Sequence, residues 1–131
     1  MAKLPSPLTR RDILYGEATS AAVLQEYGEL YLREGKPNDA VQFFGQAGYA
    51  EGLRRICTMA IDEGDFFLFS RAKEFLHEEA SPEELRKLGL HAMEKGKFRF
   101  ALTCFEKIGD RKGTADARGK LAALMQEKEV S

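Results

Sequence analysis

The chain has no tryptophan, two cysteines and four prolines in 131 residues, and its apolar runs are short, about four residues at Phe66-Phe67-Leu68-Phe69. Each shortage excludes something. Runs of that length cannot span a bilayer, which takes about 20 apolar residues in a helix. The opening residues, Met1-Ala2-Lys3-Leu4-Pro5-Ser6-Pro7, lack the apolar centre of a signal peptide. Cys57 and Cys104 belong to no metal-binding or redox spacing. Both sit among apolar helix residues, which points to buried free thiols in a reducing compartment and to a cytoplasmic location. So few prolines leave helices unbroken, and no stretch alternates polar and apolar like a half-buried strand.

What is present is the composition of a soluble globular domain, 44% hydrophobic and 31% charged. A single domain of this length buries roughly 65–70% of its unfolded surface. The net charge of −1 conceals an uneven distribution: residues 1–84 carry −6, residues 85–120 carry +6 and the remainder −1. Such asymmetry bears on partners rather than on fold.

Helical periodicity runs through nearly the whole chain. Residues 1–18 read as an N-terminal segment, irregular or with a short helix capped by Thr9 and interrupted at Gly16. A buried stripe of Val23, Leu24, Tyr27, Leu30 and Tyr31 begins after Thr19 or Ser20 and ends at Gly35. Pro37 suits the first turn of the next helix, which carries Ala40, Val41, Phe43, Phe44 and Ala47 up to Gly48. A middle pair places Leu53, Ile56, Cys57, Ala60 and Ile61 before Gly64, then Phe66, Phe69, Ala72, Phe75 and Leu76 after a capping Asp65. Three rings at 66, 67 and 69 cannot all face inward on one helix, so Phe67 is the one expected outside or against a neighbouring segment. Ser81-Pro82-Glu83-Glu84 is the clearest helix start, with Ser81 as cap and Glu84 completing a capping box. Its helix ends at Gly96, the next runs through Phe105 to Gly109, and Asp110 can cap a last one with Ala117, Leu121 and Leu124 on one face.

One pattern appears twice in one register. Gly28, Gly35, Ala40 and Phe44 recur at the same intervals as Gly89, Gly96, Ala101 and Phe105. The segments Leu32-Arg33-Glu34-Gly35, Ile61-Asp62-Glu63-Gly64 and Met93-Glu94-Lys95-Gly96 line up as three helix ends. A helical pair that cannot bury its apolar face alone needs neighbours, so the expectation is three hairpins at about 20–48, 50–78 and 82–108, with a capping helix over 111–127 and a tail at 128–131.

This order of residues resembles a tetratricopeptide repeat. Gly28, Gly35, Ala40 and Phe44 match that family's small, turn-glycine, alanine and aromatic positions, with Tyr31 and Ala47 on two more. The third hairpin matches through Gly89, Gly96, Ala101 and Phe105, with Ala92 and Ile108 in place of the aromatic and the small residue. The middle hairpin keeps Ala60 and Gly64 but has Cys57 and Phe69 where a glycine and an alanine belong. The resemblance covers about residues 22–108 and implies an all-α, right-handed stack of antiparallel helical hairpins, an α-solenoid of about seven helices with a C-terminal capping helix. A helical-hairpin solenoid of the coat-protein type is the structural alternative. The resemblance further implies a non-catalytic protein–protein interaction module, adaptor or chaperone-like, that binds a peptide or protein segment along its first helices. Carried over by position, the partner-binding face comprises Gln25, Glu29, Arg33, Arg54, Thr58, Asp62, Arg86, Leu90 and Glu94.

Catalytic readings are weak by comparison, and neither an enzyme, a cofactor nor a bound metal is expected. His77-Glu78-Glu79 has no second histidine four residues on, and His91 with Glu94 makes at most half a metal site. Cys57 has no neighbouring base on its own helix. Gly109-Asp110-Arg111-Lys112-Gly113-Thr114 lacks the spacing and preceding strand of a phosphate loop. Lys95, Lys97, Arg99, Lys107, Arg111, Lys112, Arg118 and Lys120 form a basic set, but interleaved Glu106, Asp110 and Asp116 argue against nucleic acid. The remaining alternative is a structural subunit assembling through its oppositely charged parts. Self-assembly of that kind is salt-sensitive. Sedimentation equilibrium would give a mass that falls from oligomer to monomer between low and high salt, and a constant monomer mass rejects it.

Overall fold

The structure, a computed structural model, describes residues 4–16 and 19–130, apart from the side chains of residues 129 and 130. The parts of the N-terminal segment and tail at residues 1–3, 17–18 and 131 lie outside the described residues. The described residues form eight α-helices and no strand: α1 Pro7–Tyr15, α2 Ala21–Arg33, α3 Pro37–Ala47, α4 Ala50–Glu63, α5 Phe66–Leu76, α6 Pro82–Glu94, α7 Phe98–Ile108 and α8 Arg111–Val130. The all-α class expected from the periodicity is present: α2–α8 correspond to the seven helices expected for the array and its final helix, and α1 is the short helix allowed for in the N-terminal segment. No helix among the described residues is long and apolar enough to cross a membrane.

Local chemistry accounts for the boundaries. Ser81 Oγ accepts from Glu84 N–H while the Glu84 carboxylate accepts from Ser81 N–H, a complete capping box over Pro82 in the first turn. Ser20, Asp65 and Asp110 cap α2, α5 and α8 in the same sense, each side chain accepting from the N–H three residues on. The cap of α1 is Ser6, not Thr9: Ser6 Oγ accepts from Thr9 N–H, and Pro7 takes the first helical position. The Ser-Pro arrangement of Ser81-Pro82 was therefore also present three residues ahead of the expected cap. At the other ends, Gly35, Gly48, Gly64, Gly96 and Gly109 all have φ between 65° and 74°, the left-handed conformation that lets the chain leave a helix. His77 takes the same conformation after α5, with φ 56°.

Two compact units divide the chain, Met1–Cys57 with Arg71–Glu78, and Thr58–Ser70 with Glu79–Ser131; the boundary falls within α4 and within α5. Consecutive helices pack: α2 on α3 in the first unit, α6 on α7 and α7 on α8 in the second.

In the first unit Phe44 is fully buried and lies between two glycines. A Cβ built on Gly28 of α2 would come within 2.5 Å of the Phe44 ring, and one on Gly52 of α4 within 2.8 Å. Tyr49 meets the same ring edge-on at 5.4 Å, and the Arg55 guanidinium lies 5.7 Å from its centre. Phe43, the residue before it, stacks on Tyr31 at 5.0 Å and on Tyr27 at 5.7 Å. The second unit repeats the clamp. Phe105 lies between Gly89 of α6, where a Cβ would approach to 2.8 Å, and Gly113 of α8, where it would approach to 2.6 Å. Ala92, Ala101 and Ala117 complete that buried cluster, with Met93, Phe100, Leu102 and Ile108 around it.

Gly52 and Gly113 extend the repeat beyond the hairpins. Ser20, Leu24, Gly28, Gly35, Lys36, Ala40, Phe44, Gly48 and Gly52 recur 61 positions on as Ser81, Leu85, Gly89, Gly96, Lys97, Ala101, Phe105, Gly109 and Gly113. The third helix that closes each clamp is thus part of the repeating unit. Cys57 departs from the glycine pattern because the position that would supply the ring against it, sixteen residues on, is Lys73. Phe67 is 58% exposed, whereas Phe66 faces Phe100 at 6.4 Å and Phe69 is buried. On α8 the expected apolar face is only partly used: Ala117 is buried, Leu121 half-buried and Leu124 43% exposed.

Replacing Gly28 or Gly89 by alanine forces a methyl into a ring that is already packed, a cost of about 1–3 kcal/mol. Urea denaturation should show both losses. In Gly28→Ala/Phe44→Leu the two effects should combine to less than their sum, because the smaller side chain makes room for the methyl.

Candidate functional site

The nine positions expected to meet a partner are all solvent-accessible, but they divide between the units. Gln25, Glu29, Arg33 and Arg54 belong to the first, and two of these are already engaged. Arg55 grips Glu29 with both terminal nitrogens, tying α4 to α2. That bond raises the Arg55 pKa, against a smaller opposing effect of burial. Arg54 binds Glu78 through two contacts of 2.6 and 3.2 Å, and this pairing holds the Glu78 carboxyl below its ordinary range. Arg55 was not among the sequence candidates. Its signal was the adjacency Arg54-Arg55, in which one residue follows the expected face and the next points back across α2.

Elsewhere in this unit the polar groups serve packing. Arg71 donates to Gln42 at 2.6 Å, and Gln42 in turn donates to the Tyr15 hydroxyl at 2.8 Å, linking α5, α3 and α1. Arg10 pairs with Asp39. Burial raises the Tyr31 phenol pKa above its ordinary value. These contacts hold the helices at fixed separations.

Thr58, Asp62, Arg86, Leu90 and Glu94 belong to the second unit. There the end of α4 lies directly against α6. His91 Nδ1 is 2.7 Å from the Ile61 carbonyl oxygen, and a Cβ on Gly64 would come within 2.5 Å of the Ala92 backbone. His91 is therefore half-buried and bonded across this contact, not poised with Glu94 as half of a metal site; Glu94 is exposed. No group of three or more His, Cys, Asp or Glu among the described residues is placed to hold a metal ion. Glu63 receives two cations: Lys97 Nζ donates to its carbonyl at 2.8 Å, and Lys95 Nζ lies 3.7 Å from its carboxylate.

Arg86, Leu90 and Glu94 follow one another at intervals of four on α6 and so share a face. All three are exposed, Leu90 by 52%. One turn along from Leu90, Met93 borders a shallow groove of about 470 Å³ whose other wall is α8, with Ala115, Asp116, Gly119, Lys120 and Ala123. These α8 residues were absent from the sequence candidates. Their signal was the 61-residue offset, which carries Arg54, Thr58 and Asp62 onto Ala115, Gly119 and Ala123. The groove is lined by small residues with one acid and one base, and the exposed Leu90 lies one helical turn from its Met93 wall. Such a surface can receive a side chain or a short segment by shape and apolar contact.

Both cysteines are buried and unbridged. Cys104 is fully buried, and burial pushes its thiol up to about 12, with Lys107 pulling weakly the other way. A thiol held protonated in this way is a poor nucleophile, and its role is packing.

No family model, no curated protein and no solved structure matches this chain.

The Cys104 environment makes a sign-definite prediction. The folded state keeps the thiol protonated where the unfolded chain loses its proton. The contribution to stability is thus complete below the unfolded thiol value of about 8.5 and is lost as pH rises toward the folded one. Between pH 7 and pH 10 the wild-type protein should lose about 2 kcal/mol more stability than Cys104→Ala, measured by urea denaturation at each pH. Parallel curves for the two proteins would show that the thiol does not titrate on unfolding.

Proposed function

We propose that this chain is a non-catalytic, tetratricopeptide-like protein–protein interaction module, an adaptor or chaperone-like scaffold, and that it binds a peptide or protein segment along the α6–α8 groove. The all-helical architecture and the packing of consecutive helices support the class of fold. Support for the surface comes from one observation, Gly119. Glycine inside a helix costs about 1 kcal/mol relative to alanine, so each instance calls for a reason. Gly28, Gly45, Gly52, Gly89 and Gly113 have one, an aromatic ring where a Cβ would be. Gly119 has nothing within 4 Å, and it lies on the groove floor between Ala115 and Ala123. Its missing side chain serves no packing inside the molecule and keeps the floor open to something outside it.

In this reading Leu90 supplies apolar contact at the rim, and Arg86 and Glu94 give the bound segment its direction through charges of opposite sign one helical turn to either side. Arg86 forms no ion pair among the described residues, unlike Arg54, so reversing its charge perturbs binding without releasing an internal partner. The groove is shallow, which fits recognition of one or two side chains with modest affinity rather than enclosure of a ligand.

Gly119 separates stability from binding. Gly119→Ala should raise the stability to urea by about 0.5–1 kcal/mol. Gly119→Trp should fill the groove and abolish capture of the partners that the wild-type protein retains from an extract of its source. Leu90→Asp and Arg86→Glu should weaken the same capture, with unchanged thermal melts. If every captured partner survives Gly119→Trp, the groove is not the binding surface.

A further inference from the structure

A second groove lies on the opposite side of α8. It has a volume of about 360 Å³ and is lined by Phe98, Phe100, Leu121 and Leu124, with Lys97 and Arg99 and the Gly96 backbone completing the wall. Four apolar side chains and two cations meet there, and no carboxylate does. Lys97 spends one donor on the Glu63 carbonyl, whereas the exposed Arg99 has no ion-pair partner among the described residues.

The internal repeat shows that the scaffold does not demand this lining. At the positions 61 residues earlier the chain has Lys36, Pro37, Asn38, Asp39, Ala60 and Glu63. A lysine is retained, a polar and an acidic residue have become Arg99 and Phe100, and Ala60 and Glu63 have become Leu121 and Leu124. In sequence, then, the repeat tolerates a proline, a polar and an acidic residue, an alanine and a glutamate at the positions that carry Phe98, Arg99, Phe100, Leu121 and Leu124 here. Part of the change has an internal reason, since Phe100 packs toward Phe66 at 6.4 Å. Leu124 has none of that kind: it is 43% exposed, where its counterpart is a glutamate. Met125, next to it, is 60% exposed, and its counterpart Gly64 is pressed against Ala92.

We infer that this α7–α8 groove is a second docking site, and that its occupant is an acidic amphipathic helix of a partner protein. Such a helix presents two or three large apolar side chains at intervals of three and four, flanked by Asp or Glu. The apolar residues would enter between Phe98, Phe100, Leu121 and Leu124, and the carboxylates would meet Lys97 and Arg99. The volume suits two or three such side chains, and the absence of any acid in the lining sets the sign of the partner. The site is independent of the α6–α8 groove, so either can fail alone.

The probe is a fluorescent helical peptide of about 18 residues with leucines on one face and glutamates beside them, read by anisotropy. Two controls have the same leucines with lysines, and the same composition in scrambled order. The wild-type protein should bind the acidic helix at least tenfold more tightly than either control. Arg99→Glu and Leu124→Glu should each weaken binding about tenfold or more, with circular dichroism unchanged, while Gly119→Trp should leave it intact. Equal binding of the three peptides, or no binding, overturns the proposal. So does retention of the acidic helix by both variants. Two further results assign the groove to another occupant and overturn it as well: dimerisation of the wild-type protein that Leu124→Glu abolishes, and adsorption to phosphatidylserine vesicles that Leu124→Glu abolishes when the acidic peptide does not bind.

Discussion

A phenylalanine ring held between two glycines is the contact on which each unit is built. Phe44 fits only because Gly28 and Gly52 have no side chains, and Phe105 fits only because Gly89 and Gly113 have none. The ring gains burial on both faces, and three helices are brought to one separation by a single side chain. Glycine in a helix interior is costly, and the arrangement accepts four such glycines to make two clamps. The aromatic neighbours follow from it. Phe43 points the other way from Phe44 and meets Tyr27 and Tyr31, and Tyr49 closes over the clamped ring.

Charge plays a subordinate part in the fold and a larger one at the surface. Arg55 binds Glu29 while lying over the Phe44 ring, so its ion pair reinforces a packing contact. The Arg54–Glu78 pair is exposed and worth little by itself. Among the described residues, cations without an ion pair include Arg86 and Arg99, in the stretch of residues 85–120 that carries +6. Both grooves on α8 lie in that part of the molecule, one bordered by Met93, the other by Phe98 and Phe100. α8 therefore has its two sides turned to different surfaces, and its exposed Leu124 and Met125 distinguish it from α4, its counterpart in the repeat.

Most helix boundaries were legible because they depend on short-range chemistry: Ser81 with Glu84, Asp65 with Leu68, and glycines at left-handed ends. Ser6 was missed although the Ser-Pro signature was there, because Thr9 satisfies the same rule and a short polar segment offers no periodicity to choose between them. Phe67, which counting rings on one helical face places outside or against a neighbouring segment, is exposed. The candidate surface was legible only in part. Leu90 and Arg86 follow from position within the repeat. Ala115, Gly119 and Ala123 did not, because α8 read as a cap over the end of the repeat instead of as a member of it.

The order of residues alone determined the helical class, the places where helices start and stop, and a repeating unit with small and aromatic residues at set intervals. These are local or periodic properties, and they need no knowledge of which helix touches which. Tertiary structure decided what those residues are for. Gly28 and Gly119 look alike in a helical sequence, yet one has a ring against it and the other faces open space. His91, weighed as half of a metal site, instead bonds a backbone carbonyl, and Cys104 is buried with a thiol pushed up to about 12. Burial and neighbours set the role of each side chain, and both depend on residues distant in sequence.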